Sequence, residues 1–202
     1  DEGTIFINGN EAVIHSPAEA IRLGIGMVHQ HFMLVNTLTV LENIILGDEI
    51  TGALNVIDMK RSRQKVKHIL NSFDIKIDLE EITGNLSVGM QQKIEIIKLL
   101  YRNAEILILD EPTAVLTPQE TDDLFKTLRE LKNEGKTIIL ITHKLGEVLA
   151  VSDSITVLRH GRVIGSKSTA ETPIESLAEM IIGENFKTIA GKANIPSEDI
   201  LL

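Results

Sequence analysis

The residues best suited to chemistry stand at the end of an apolar run. In "ILILDEPTAVLT" (106–117), four aliphatic residues lead into Asp110 and Glu111. A buried strand of this kind carries two carboxylates to the C-terminal edge of a sheet, where open α/β sheets bind ligands. Asp110 is then placed to hold Mg²⁺, usually through water because that ion gives up its hydration shell reluctantly. Glu111 is placed to polarise a water for attack on a terminal phosphate. The competing interpretation is a buried strand closed by acidic turn residues.

Three further stretches carry similar pairs of interpretations. In "LSVGMQQK" (86–93), Ser87 caps a helix running to about Asn103, and Gly89 permits close backbone approach. Free N–H groups and the helix dipole make such a start an anion site; the alternative is an ordinary N-cap. His143 in "ITHK" follows a buried strand and can donate to a phosphate oxygen or orient a water, or be a loop histidine. Gln30 in "MVHQHF" also stands just past a strand, where its amide reaches a metal or water, or caps a turn. His29 and His31 flank it, but no cysteine and no third ligand accompany them, which argues against a zinc-type site.

Gly135-Lys136-Thr137 has the ending of a phosphate-binding loop and fails as one. The pattern G-x-x-x-x-G-K-[ST] needs a glycine at 130, which is Glu130. The order of elements is also reversed: a helix ends at Gly135 and a strand follows, whereas the loop needs strand, turn, then helix. No other window of the chain fits the pattern.

The elements that must position these residues alternate. "TIFING" (4–9) reads as a short strand ending in an Asn-Gly turn. "SPAEAIRLG" (16–24) reads as a helix with Ser16 as N-cap, Pro17 first, Glu19 closing a capping box and Gly24 ending it. "IGMVHQ" is a buried strand. Helical spacing dominates from about Leu38 to Leu100, with a stripe at Val66, Ile69, Leu70 and Phe73 and a basic outer face. "TPQETDDLFKTLRELKNEG" is a helix capped by Thr117 and Glu120, with Leu124, Leu128 and Leu131 inward. "TIILITH" is the next strand, "KLGEVLAVS" a helix, "SITVLRHGRVIGS" a hairpin turning at His160-Gly161, and 174–183 a last helix. Continuously apolar strands alternating with helices predict an α/β fold with a parallel sheet covered on both faces.

Composition bounds the function. The chain has 202 residues, 43% of them apolar but only 3% aromatic, so the core is aliphatic. It lacks cysteine, which excludes disulfides and thiol chemistry. Its net charge is −9, from 29 acidic and 20 basic residues, and phosphate neutralisation on nucleic acid needs a basic face. No apolar run approaches the ~20 residues of a membrane helix. The opening Asp1-Glu2-Gly3 reads as the middle of a longer polypeptide.

Taken in order, Gln30, "LSVGMQQ", "ILILDEPT", "AVLT" and "ITH" resemble the nucleotide-binding subunits of ABC transporters. The likeness runs from Gly3 to about Gly183. It matches Gln30 to the Q-loop, 86–91 to the signature motif, 106–111 to Walker B with its catalytic glutamate, 114–117 to the D-loop, and His143 to the switch histidine. The wording "VGMQQKIEIIKLLYRNAEILILDEPTAVLTPQE" is similar to the simple-sugar and nucleoside importers, in which two nucleotide-binding halves share one polypeptide. The resemblance implies a P-loop NTPase-type parallel sheet with a helical ABC subdomain at about 32–98. The N-terminal strand and Walker A helix would lie upstream of this fragment (1–183), and 184–202 would lead toward a second half. Loss of that strand and helix should bare apolar surface near Gln30 and Asp110.

By the same resemblance, two such domains sandwich two ATP molecules. Gln30, Asp110 and the partner half's equivalents of Ser87, Gly89 and Gln91 contact ATP, and Asp110 and Gln30 contact Mg²⁺. Glu111 is the general base and His143 steadies the γ-phosphate. Val88 and Met90 depart from the commonest signature, Leu-Ser-Gly-Gly-Gln, and Thr117 stands where the D-loop usually has aspartate. The implied protein is an ATPase on the cytoplasmic face of the membrane that powers import of a sugar or nucleoside. Its partners are permease subunits, a second nucleotide-binding domain and, indirectly, a solute-binding protein, with no nucleic acid; without Walker A, this chain alone is expected to be an incomplete site. The alternative is a non-transport ABC ATPase of DNA-repair or translation type. The short helical segment between Gln30 and the signature, without sustained heptads, argues against it.

Overall fold

The structure, a computed structural model, describes residues 3–183; the expected linker at 184–202 lies outside the described residues. Two compact units divide the chain, one ending at Ile141 and the other beginning at Thr142.

The first unit opens with a hairpin of β1 (Ile5–Ile7) and β2 (Asn10–Ala12). Asn8 and Gly9 make its turn with φ of +51° and +79°, the left-handed pair that a two-residue hairpin turn requires. Helix α1 (Pro17–Arg22) starts at Ser16, whose hydroxyl accepts from the Glu19 N–H at 3.3 Å. The expected capping box is half made: the Glu19 carboxylate accepts from the His15 N–H at 2.6 Å rather than from Ser16. One bond is exchanged for another a residue earlier.

A three-stranded parallel sheet forms the centre, in the order β3 (Ile25–Val28), β4 (Ile106–Asp110), β5 (Thr137–Ile141). Val28 pairs with Leu109, and Asp110 with Ile141. Successive side chains of a strand point to opposite faces. One face, with Gly26, Val28, Leu107 and Leu109, is buried. It approaches closely enough that a Cβ on Gly26 would meet the Leu99 side chain at 2.8 Å. The other face is open: Met27, Ile139 and Ile141 are 38%, 47% and 47% exposed. The sheet is therefore not covered on both faces by the described residues. Apolar runs imply cover on both sides but do not say which chain segment supplies it, and bared apolar surface beside Asp110 is what the resemblance implies.

Four more α-helices belong to this unit. α2 (Val40–Ile45) begins in a full capping box of Thr39 and Glu42. α3 (Met59–Ser72) turns Val66 and Leu70 inward, as its stripe predicts. α4 (Val88–Tyr101) is buried nearly all round, and Ile94, Ile97 and Tyr101 join Val40, Leu41 and Ile44 in one core. Lys65 sits 4.1 Å over the Tyr101 ring, a cation–π contact. α5 (Pro118–Asn133) buries Leu124, Leu128 and Leu131. It is followed by Gly135 at φ +88°, a C-terminal position that suits glycine.

The second unit holds α6 (Leu145–Val151), a hairpin of β6 (Ser154–Arg159) and β7 (Arg162–Ser168), and α7 (Ile174–Ile182). The hairpin turns at His160-Gly161, with φ of +51° and +72°, and carries an irregularity between Val157 and Leu158.

Candidate active site

The carboxylate pair stands where the sequence places it. β4 is the middle strand, so its end is flanked on both sides. Asp110 is its last residue, half-buried, and by alternation shares the open face with Ile108. Glu111 follows at φ +43°, and its N–H donates to the Ile141 carbonyl at 2.9 Å. A non-glycine residue in the left-handed region is strained, and such strain persists where the surroundings hold it in place. The bond to β5 is part of that hold, and it turns the chain so that the two adjacent carboxylates do not continue the strand's alternation.

Gln30 lies two residues past β3, the neighbour of β4, and is exposed, as are His29 and His31. Among the described residues no three acidic or histidine side chains gather into a metal-holding group. A divalent ion here would rest on Asp110, the Gln30 amide, water and phosphate oxygens, which suits Mg²⁺. His143 lies two residues past β5 and is exposed; it belongs to the second unit.

The start of α4 has the expected cap: the Ser87 hydroxyl accepts from the Met90 N–H at 3.3 Å. The Gly89 N–H donates to Glu120 Oε1 at 3.1 Å, so a carboxylate from the first turn of α5 already sits against this helix start. That an anion settles there agrees with the N–H groups and dipole of a helix terminus. A Cβ on Gly89 would meet the Glu120 carboxylate at 2.7–2.8 Å, so glycine leaves room for that approach. The Gln91 amide donates to the Thr83 and Leu86 carbonyls at 3.3 and 3.2 Å. It steadies the turn that leads into Ser87.

Glu120 was foreseen only as the capping partner of Thr117. Its other oxygen accepts from the Thr117 N–H and hydroxyl at 3.1 and 3.0 Å. The Thr117 N–H above all, then the Thr117 hydroxyl and the Gly89 N–H, hold its carboxyl below the ordinary value of 4.5. A carboxylate whose folded pKa is lowered stabilises the fold above its unfolded pKa. That contribution disappears as pH falls through the folded value. An NMR titration of the Glu120 carboxyl should therefore give a midpoint below 4.5, and Thr117→Val, which deletes one donor, should raise it. A midpoint at or above the ordinary value would refute this contact.

Sequence reasoning missed three buried polar side chains around this site: Asn43, Glu95 and Lys98, at 0%, 6% and 9% exposure. The signal was present in "IEIIKLL", where two charges three residues apart interrupt an apolar helix. A charge is rarely buried there unless paired.

The assembled parts are an acidic strand end in the middle of a parallel sheet, an amide-bearing loop beside it and a serine-capped helix start. They define a nucleotide-handling class of α/β protein. The chain belongs to the ABC transporter family, whose model matches residues 1–114. It is 45% identical over 201 residues to the nucleoside import ATP-binding protein NupA of Lactococcus lactis subsp. cremoris, covering all of this chain and 40% of that protein. To the guanosine import ATP-binding protein NupO of Bacillus subtilis it is 47% identical over 203 residues, covering 100% and 39%. To the ribose import ATP-binding protein RbsA of Caldanaerobacter subterraneus subsp. tengcongensis it is 39% identical over 202 residues, covering 100% and 41%. The chain thus spans about two-fifths of the length of the curated relatives it matches. Among solved structures, an ATP-binding cassette of an ABC transporter in its ADP conformation superposes with a TM-score of 0.74 at 25% identity, over 95% of this chain and 78% of the other. The fold is that of ABC ATPases.

Proposed function

We propose that this chain is part of the ATP-binding, ATP-hydrolysing subunit of an ABC importer for a sugar or nucleoside. The observation that carries the reading is the end of β4. Asp110 stands on the open sheet face, with Glu111 turned by its bond to β5 and the Gln30 loop leaving the adjacent strand. The names of the relatives, all import ATP-binding proteins for nucleosides or ribose, support the substrate class. The short helical stretch between Gln30 and Ser87 disfavours a repair or translation ATPase.

In this reading, Asp110 and Gln30 hold Mg²⁺ beside the phosphates of ATP, and the ion supplies charge neutralisation when bound. Glu111 accepts a proton from the attacking water, and His143 donates to the terminal phosphate. Ser87 offers a hydroxyl, and Gly89 an N–H once it is released from Glu120, to the nucleotide of a second nucleotide-binding domain, while Gln91 supports their turn. Residues 1–183 form one nucleotide-binding domain, with its helical subdomain near 32–98 toward permease subunits at the cytoplasmic face of the membrane. Among the described residues no helix is long and apolar enough to cross a membrane, so in this reading attachment runs through those partners. A solute-binding protein acts on it only indirectly.

The chain contains no glycine-lysine phosphate loop. Charge-assisted hydrogen bonds contribute roughly 1.5–3 kcal/mol each, and several of them separate micromolar from millimolar affinity at about tenfold per 1.4 kcal/mol. Calorimetry with Mg-ATP should show this chain binding at least about a hundredfold more weakly than one extended to include such a loop and its strand. Equal affinities would overturn the reading, because the phosphates would then be held by other groups.

A further inference from the structure

Residues 29–35 leave β3 and pair with no strand. Buried or half-buried backbone groups must nevertheless find partners, and here side chains provide them. The Met33 N–H donates to Glu95 Oε1 at 2.7 Å, and Lys98 Nζ donates to the Met33 carbonyl at 3.3 Å. Glu95 and Lys98 lie three residues apart on α4. Their charged atoms are 3.2 Å apart and their side chains only 8% and 11% exposed. Two residues on, Asn43 of α2 treats Val35 alike: Oδ1 accepts its N–H at 2.8 Å and Nδ2 donates to its carbonyl at 3.0 Å. Each of these sets mimics the donor and acceptor that a neighbouring strand would present.

A buried ion pair is a weak source of stability, since desolvation offsets most of its attraction. Greasy side chains would fill the same space on α4. The bonds to Met33 are what such replacements could not make. Between Val28, the last residue held by the sheet, and Met33, held by α4, only four residues intervene, and Gln30 is one of them. The helix that holds Met33 is the helix that starts at Ser87 and Gly89, and Glu95 lies six residues, or about 9 Å of helix rise, beyond Gly89.

We propose that Glu95 and Lys98 are positioning residues for Gln30. They fasten the far end of its loop to α4, so the glutamine moves with the helix that carries Ser87 and Gly89. This rests on the reading of Gln30 as an ATP-site residue. The coupling is physical and local: a shift of α4 against the sheet changes the span of a four-residue bridge anchored at both ends.

The test uses the full-length protein and reads kcat, KM for Mg-ATP and thermal midpoint. Glu95→Ala should lower kcat by about tenfold or more with KM within about twofold, the pattern of a lost transition-state interaction. Glu95→Gln keeps an oxygen for the Met33 N–H and should recover most of the rate. In the Gln30→Ala background, Glu95→Ala should add less than about a twofold further loss, since residues acting through one another are not additive. Losses that multiply, or a Glu95→Gln variant as slow as Glu95→Ala, would overturn the proposal. Should Glu95→Ala fail to fold, the apolar double variant Glu95→Leu with Lys98→Met carries the same comparison. It leaves no unpaired buried charge and removes both partners of Met33. Full activity in Gln30→Ala alone would instead overturn the reading of Gln30 on which the proposal stands.

Discussion

Changing Glu111 to glutamine in the full-length protein is expected to lower ATP turnover by about 10²–10⁴-fold, the range that a positioned general base contributes. Nucleotide affinity should stay within a few-fold. The two expectations separate because the change swaps one oxygen for an amide nitrogen, removing the proton acceptor and little volume. The backbone argument points the same way. Glu111 is held at φ +43° with its N–H on the Ile141 carbonyl, and glutamine meets the same steric demand as glutamate there. Folding should therefore be unaffected, and a thermal midpoint equal to that of the parent is part of the prediction. Single-turnover hydrolysis together with equilibrium ATP binding would check it. Undiminished turnover would remove Glu111 from the chemistry and leave it as a turn residue at the end of a buried strand.

The strand that carries Glu111 was legible because four apolar residues ending in two carboxylates leave little else to predict. Thr117 and Glu120, or Ser87 with Gly89, were legible for a similar reason: a cap is a local pattern, read within one turn. What escaped the sequence depends on distant partners. The positive φ of Glu111 comes from β5, thirty residues downstream. The second task of Glu120, against the Gly89 N–H, joins two helix starts. Asn43 lies in "LENIILG", read as helical from its apolar spacing, and nothing nearby says that it serves Val35 and Thr83. The two-faced cover expected for the sheet is not met among the described residues, because continuous apolarity in Ile139 and Ile141 reports a need for cover and not its source. The capping box at Ser16 failed at the scale of one bond, when the His15 N–H captured the Glu19 carboxylate.

Asn43→Ala should be strongly destabilising, by about 2–4 kcal/mol. Asn43 is fully buried. Its Nδ2 donates to Thr83 Oγ1 at 2.8 Å and shares its remaining hydrogen among the Val35, Thr39 and Leu38 carbonyls at 3.0, 3.2 and 3.4 Å, while Oδ1 takes the Val35 N–H. Truncation removes the partners of the part-buried Val35 backbone and of the buried Thr83 hydroxyl, at about 1–3 kcal/mol for an unsatisfied buried group. It adds a small cavity, and cavities of this kind cost further. A domain with about 5–15 kcal/mol in total would lose a large part of its margin. Asn43→Asp separates the causes. It keeps the acceptor for Val35 but turns a second oxygen toward carbonyls. Burial and those carbonyls should raise the folded pKa of the new carboxyl above its unfolded value, so this variant should gain stability relative to the parent as pH falls through that raised value. Urea unfolding at two pH values reads both effects. If Asn43→Ala cost under about 1 kcal/mol, the typical net worth of one hydrogen bond, the network would be dispensable, and the stretch from Met33 to Thr39 would owe its path to the Glu95–Lys98 pair and to the Thr83 and Gly84 N–H groups that donate to the Leu38 and Asn36 carbonyls.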